Sequence, residues 1–224
     1  GRFSSVINGM VADEFPELPS VDEKDSINYE LKVEEFKQAV SQTIIASSSD
    51  STRPILTGVY WHTHEGELYL AATDGYRLAE RKLMKTDNET TAVIPTSTLQ
   101  EVMRTMTDDT GGTITLLFDD TQVCFKTAST EIISRLIDGK FPDYRQLIPS
   151  RSETEIEINK ADFSRIAKIA SLFARDSGGG ITVKASSEAS LLSIHSIASE
   201  LGENTSEASA NVTKDGEITI NSRY

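Results

Sequence analysis

One spacing occurs twice in this chain, and it limits the possible folds more than any other feature. Tyr29, Leu31 and Phe36 recur as Ile156, Ile158 and Phe163, each 127 residues later. In both places an apolar pair at period two gives way to a period near 3.6, so a strand runs directly into a helix. The first helical face gathers Phe36, Ala39, Val40, Thr43 and Ile44. The second helix, Ala161 to Ala174, lines up Phe163, Ile166, Ala167, Ala170 and Phe173. Each helix is followed by a glycine-led strand, Gly58-Val59-Tyr60-Trp61 or Gly180-Ile181-Thr182-Val183, and then an apolar run, Leu68 to Ala71 or Leu191 to Ile194. Solenoid repeats run to only about 20–50 residues, so self-similarity at this distance marks a duplicated domain.

The stretch between the two copies completes one domain. Arg53-Pro54 opens a strand from Ile55 to His64, Glu65-Gly66 turns it into Glu67 to Ala72, and strands follow from Tyr76 to Met84 and Thr90 to Ile94. After Pro95, Leu99, Val102, Met103 and Met106 share a helical face. Gly111-Gly112 then leads into strands Thr113 to Phe118, Gln122 to Thr127 and Glu131 to Leu136. Strands in series with two helices predict an α+β fold, its helices packed on one face of antiparallel sheets. Arg2 to Met10 is strand-like, whereas Asp13 to Asp25 is acidic, holds two prolines and has neither period. The expected organisation is a terminal strand with linker over 1–25, a complete domain over 26–148, and a second copy over 149–224. A start at Gly1 and a stop at Tyr224 just after a strand-like run read as a piece of a longer protein.

Composition narrows the function. Twenty-two Lys and Arg stand against 35 Asp and Glu, a net charge of -13. A body this acidic repels the DNA backbone, so any action on DNA needs local positive charge or enclosure rather than a broad basic grip. Cys124 is the single cysteine, which excludes an intrachain disulfide and suggests a reducing cytoplasm. No apolar run reaches the roughly 20 residues that span a bilayer, so no membrane partner is expected.

Two motifs carry more information. Ala72-Thr73-Asp74-Gly75-Tyr76-Arg77-Leu78 interrupts a strand with Asp-Gly turn chemistry, and Asp138-Gly139-Lys140-Phe141-Pro142-Asp143-Tyr144 interrupts the chain again. With Arg53-Pro54-Ile55-Leu56-Thr57-Gly58 ahead of them, they resemble the bacterial sliding clamps, the beta subunits of DNA polymerase III, in the middle and third domains. The likeness covers essentially the whole chain. It implies a non-catalytic processivity factor whose repeated domains enclose duplex DNA, and which is a head-to-tail homodimeric ring when full length. Replicative polymerase, clamp loader and repair polymerases would be its partners. The chain alone is expected to be monomeric.

The same resemblance implies a hydrophobic groove between the second and third domains that takes extended peptides. Matching motifs assign to it Leu56, Thr73, Gly75, Tyr76, Arg77, Leu78, Pro142 and Leu147, with Asn221 and Tyr224 from the closing Ile220-Asn221-Ser222-Arg223-Tyr224. Gln146 stands where some members carry Arg, and Ser177-Gly178-Gly179-Gly180 lacks an aromatic that some members have nearby. On the helices, Arg165, Lys168 and Arg175 fall roughly 120–200° around the axis from Phe163. Together with Lys37, Arg53 and Arg104, Arg165 and Lys168 are the candidate DNA-facing set.

Other chemistry finds little footing. His62 and His64 share a strand face without ligand partners at metal spacing, and no cofactor is expected. Cys124 sits in an apolar strand pattern that suits a small core residue. Gly178-Gly179-Gly180 lacks the Gly-Lys-Ser/Thr ending of a phosphate loop. The alternative from another class is a hydrolase on a duplicated α+β domain, using Asp74, Asp138 or Asp143.

Overall fold

The computed structural model describes residues 1–15, 19–24, 26–106, 111–175, 178–198 and 202–224. It divides into two compact units, Gly1–Pro142 and Asp143–Tyr224. Phe141 stacks on Tyr60 with ring centroids 4.7 Å apart, which ties the chain up to that point to the first unit.

The first unit is a two-sheet sandwich. One antiparallel sheet has the order β1-β6-β7-β8, from Ile27–Lys32, Thr113–Phe118, Gln122–Lys126 and Glu131–Arg135. The other has the order β4-β3-β2-β5, from Leu78–Lys85, Glu67–Thr73, Gly58–His64 and Thr91–Pro95. Helices α1 (Val33–Thr43) and α2 (Thr96–Thr105) join them in one core. Phe36 of α1 lies at its centre, 6.3 Å from the Trp61 ring of one sheet and 6.0 Å from the Phe125 ring of the other. The expected helical faces bury as read: Phe36, Ala39, Val40 and Thr43 on α1, and Leu99 and Val102 on α2. Glu34 and Glu35 in the first turn of α1 and Arg104 in the last turn of α2 suit the helix dipoles.

Several expected boundaries shift for identifiable reasons. The strand expected from Ile55 begins only at Gly58, after a 3-10 turn over Pro54–Thr57. Pro54 has no N–H to give a ladder, and Leu56 N instead donates to Arg53 O at 3.0 Å. The strand expected from Tyr76 begins at Leu78, because the Asp74 side chain takes the amides of Tyr76 and Arg77. Arg2 to Met10 forms no strand, and Phe3, Val6, Ile7 and Met10 are exposed. A strand needs a neighbouring edge for its backbone groups, and none of the described strands pairs with this segment. Part of the expected linker is structured: Val21 packs with Leu117 and Cys124 on the outer face of the β1-β6-β7-β8 sheet, and Lys126 Nζ meets Glu23 Oε1 at 2.7 Å. The Glu65-Gly66 turn has φ of 51° and 73°, the left-handed pair that matches a two-residue hairpin to strand twist.

The second unit repeats the scheme. Strand β9 (Ile156–Ile158) leads into α3 (Lys160–Phe173), followed by β10 (Gly180–Ser186), β11 (Leu191–Ala198), β12 (Gly202–Val212) and β13 (Gly216–Asn221). These strands form one antiparallel sheet in the order β13-β10-β11-β12-β9. Gly180 opposes Asn221 at the start of β10 just as Gly58 opposes Pro95 at the start of β2. Asn159 caps α3, its Oδ1 accepting from Ala161 N at 2.9 Å and Asp162 N at 3.3 Å.

The buried stripe of α3 differs from the expected one. Ile166, Ala170 and Ala174 lie in the core, whereas Phe163 is 39% exposed and Phe173 half-buried. Phe36, the first-unit counterpart of Phe163, is 0% exposed because two sheets close over it. The single sheet described in the second unit covers α3 from one side only. Likewise Ile218 and Ile220 on β13 stay exposed, while Ala92 and Ile94 at the matching register of β5 are buried in the same core as Leu99 and Val102 of α2.

Candidate functional site

The Asp-Gly motif folds into a tightly bonded loop between β3 and β4. Asp74 Oδ1 accepts from Tyr76 N at 2.9 Å and Arg77 N at 3.0 Å, and Asp74 Oδ2 accepts from Arg77 Nε at 3.0 Å. Thr73 Oγ1 accepts from Gly75 N at 3.1 Å and donates to Arg77 O at 2.6 Å. Gly75 has φ of +95°, a conformation that side chains resist. A Cβ there would also lie 3.4 Å from Arg53 Nη1, so the Arg53 guanidinium rests directly against the glycine backbone. Arg53 Nη2 donates to Asp74 O at 3.2 Å, and Arg53 Nε lies 3.9 Å from Asp50 Oδ2.

Partial burial pushes the Asp74 carboxyl up, but the amides of Tyr76 and Arg77 and the Arg77 guanidinium outweigh it, so its pKa lies below the ordinary carboxylate value. The carboxylate is therefore the form this loop requires. With both oxygens committed to the turn and to Arg77, Asp74 is a structural acceptor and offers the hydrolase alternative no general base.

The loop displays a mixed surface. Tyr76 is 81% exposed and Leu78 36%, with Arg77 partly buried beside them. Leu56 is the buried residue of the Pro54–Thr57 turn, where Thr57 Oγ1 donates to Pro54 O at 2.7 Å. That turn meets the second motif. A Cβ on Gly139 would stand 3.5 Å from Ile55 Cδ1, and one on Gly58 would stand 2.9 Å from Ile137 Cδ1. The Arg-Pro-Ile-Leu-Thr-Gly run and the Asp138 to Pro142 segment are thus packed together within the first unit, with Phe141 buried and Pro142 exposed.

The second unit holds the remaining expected pocket residues. Gln146 and Leu147 lie on a 3-10 turn over Arg145–Leu147, where Gln146 Nε2 donates to Asp143 O at 3.1 Å and Leu147 is 75% exposed. Asn221 is a tie: its Nδ2 donates to Gly178 O at 3.2 Å, and its Oδ1 accepts from Arg223 N at 3.0 Å. Tyr224 is exposed. Ser177, in the glycine run, lies outside the described residues.

Most of the cationic set is engaged locally. Arg104 Nε and Nη2 both meet Glu101 Oε2, at 2.9 and 2.7 Å, and Arg165 Nη2 meets Asp162 Oδ1 at 2.8 Å. Lys37 is half-buried, its Nζ donating to Met106 O at the end of α2. Lys168 is exposed on α3. Asp74, Glu101 and Asp162 are the acidic partners of Arg77, Arg104 and Arg165, and the motifs assign Glu101 and Asp162 no role. Each stands three residues before its arginine, a spacing visible in the sequence.

Among the described residues, no three His, Cys, Asp or Glu side chains are grouped to hold a metal ion. His62 instead stacks between Tyr60 and Tyr69, with centroids 4.6 and 5.7 Å away. Burial and the nearby Glu131 carboxylate push the Cys124 thiol up to about 11, which suits an inert core residue. None of the described helices is long and apolar enough to cross a membrane.

The family model for the central domain of the DNA polymerase III beta subunit matches residues 30–143, which contain the Thr73 to Leu78 loop, the second motif up to Asp143 and most of the first unit. The chain belongs to the DNA polymerase III beta subunit family. It is 36% identical over 222 residues to the beta sliding clamp of Staphylococcus epidermidis, a match covering 97% of this chain and 58% of that relative's length. The sliding clamp of Bacillus subtilis superposes with a TM-score of 0.86 at 34% identity, over 95% of this chain and 56% of that one. The sliding clamp of Bartonella birtlesii, solved bound to griselimycin, gives 0.85 at 27% identity, over 95% and 58%. The chain therefore corresponds to a little over half of a sliding clamp. Family membership accounts for the repeated α+β units and for the place of the Thr73 to Leu78 loop within the first of them.

Proposed function

We propose that this chain is part of a non-catalytic processivity factor that encloses duplex DNA and docks partner peptides beside the Thr73 to Leu78 loop. The observation that carries the reading is that loop: a rigid turn presenting exposed Tyr76 and Leu78 next to a pinned Arg77, in a chain of the sliding-clamp family. Leu78 and Pro142 would meet the apolar side chains of an extended peptide, with Leu56 beneath. Thr73, Gly75 and Arg77 supply the polar frame. Burying each Leu or Phe of such a peptide is worth about 1.5–3 kcal/mol, and ordering costs leave binding on the order of micromolar. Polymerases and the clamp loader would exchange on a site of that strength. A relative that binds griselimycin supports a ligand-accepting surface in this family.

On the DNA side, Lys37, Arg53, Arg104, Arg165 and Lys168 would line the inner wall of a homodimeric ring in the full-length protein. Local pairing of Arg104 with Glu101 and of Arg165 with Asp162 supports loose contact, because a cation already paired releases few counterions on meeting phosphate.

Titration of a labelled Gln-Leu-Ser-Leu-Phe peptide tests the docking site. Binding should be saturable and weaken about tenfold or more in Arg77→Ala, as expected when a charged hydrogen bond is lost. Equal binding by wild type and Arg77→Ala would overturn the reading.

A further inference from the structure

We propose that Asp74 is a positioning residue for ligand docking, holding Arg77 and the loop backbone in their binding arrangement before a ligand arrives. The inference rests on the docking reading above. A turn of this kind needs only a side-chain oxygen to accept the two amides, and asparagine would supply one. Asp74 does more: its Oδ1 takes both Tyr76 N and Arg77 N, while its Oδ2 takes Arg77 Nε at 3.0 Å. One carboxylate therefore fixes the backbone on either side of Tyr76 and also the plane of the Arg77 guanidinium.

The anchor is itself held. Its side chain is 16% exposed against 33% for Arg77, its carbonyl accepts from Arg53 Nη2, and Thr73 Oγ1 closes the loop from Gly75 N to Arg77 O. An arginine has several rotamers to lose when it grips a ligand, and a partner that has already selected one reduces that loss. The pairing is charge-assisted and short-range, so substituting the carboxylate while keeping its shape removes this selection and leaves the turn.

The experiment is a double-mutant cycle on the chain, using anisotropy of the same labelled pentapeptide. Asp74→Asn keeps an oxygen for the two amides, and Trp61 fluorescence reports whether the first unit stays folded. Asp74→Asn alone should weaken binding about three- to tenfold. In an Arg77→Ala background the same substitution should change Kd by less than about twofold, since the residue it positions is gone. Wild-type affinity in Asp74→Asn, or an equal loss in both backgrounds, would overturn the assignment; the second result would mean that Asp74 only supports the loop. Failure of wild type to bind, or identical binding by wild type and Arg77→Ala, would bring down the docking reading and this inference with it. That failure is recognisable because it appears before Asp74 is altered.

Discussion

Asp74 shows how one residue type can be read two ways. In the sequence, Asp-Gly signals a turn, and a carboxylate near an arginine also passes for catalytic chemistry. The hydrogen bonds decide for the turn. Because its pKa in the folded chain lies below the unfolded value of about 3.9, Asp74 contributes stability that is present above that pH and lost as pH falls through the folded value. Asp74→Ala should therefore lower the melting temperature at pH 7, by an amount corresponding to about 1–2 kcal/mol, and the gap from wild type should narrow below about pH 4. A gap that stays constant between pH 7 and pH 3 would contradict the charge-based account. Gly58 is a second residue where geometry leaves no choice. A Cβ would sit 2.6 Å from Val93 Cγ1 and 2.7 Å from Ile94 O, so Gly58→Ala should cost at least about 1–3 kcal/mol in denaturant titrations. Cys124, with its thiol pushed up to about 11, should resist a thiol reagent at pH 8 in the native chain and react once unfolded.

At the scale of elements, α2 and α3 each carry an arginine with an acid three residues earlier on the same exposed face. As isolated pairs these add little to stability, since both partners are largely in water. Their consequence is electrostatic, and it bears on DNA. Glu101→Gln with Asp162→Asn should leave the melting temperature nearly unchanged while tightening binding of a duplex at low salt. The slope of log K against log salt should steepen by up to about two, one per unmasked arginine. An unchanged slope would remove these helix faces from the DNA-facing set. Strand β12 teaches a different lesson. Its inward positions are Asn204, Ser206, Ala208, Ala210 and Val212, so its period of two is hardly visible as hydropathy. It forms nonetheless, because β11 pairs along its length and the small side chains of α3, Ala167 and Ala170 among them, meet equally small ones.

For the whole molecule, the two units make a controlled comparison of one scheme in two settings. Ile94 and Ile220 hold the same place on β5 and β13, yet Ile94 is 0% exposed and Ile220 is 38%. Truncating each to alanine should separate them. Ile94→Ala should cost about 2–5 kcal/mol, read by Trp61 fluorescence in the first unit, because a cavity opens between two layers. Ile220→Ala should cost markedly less, about 1 kcal/mol by backbone circular dichroism, since over a third of that residue is in water already. Equal costs would mean that the second unit encloses β13 more fully than the described residues do.

The chain alone determined the duplication, the α+β class, both helical faces of the first unit and the motifs of the Thr73 to Leu78 loop. Those are local patterns, written in the period of apolar residues and in turn chemistry that acts over a few positions. Only the tertiary structure decided that Val21 belongs to a core, that Phe163 is left partly in water where Phe36 is not, and that the Arg53 guanidinium rests against the Gly75 backbone. Each of these depends on which surface another part of the chain brings up against a residue. A side chain's own chemistry does not carry that information, so it emerges only when the layers are assembled.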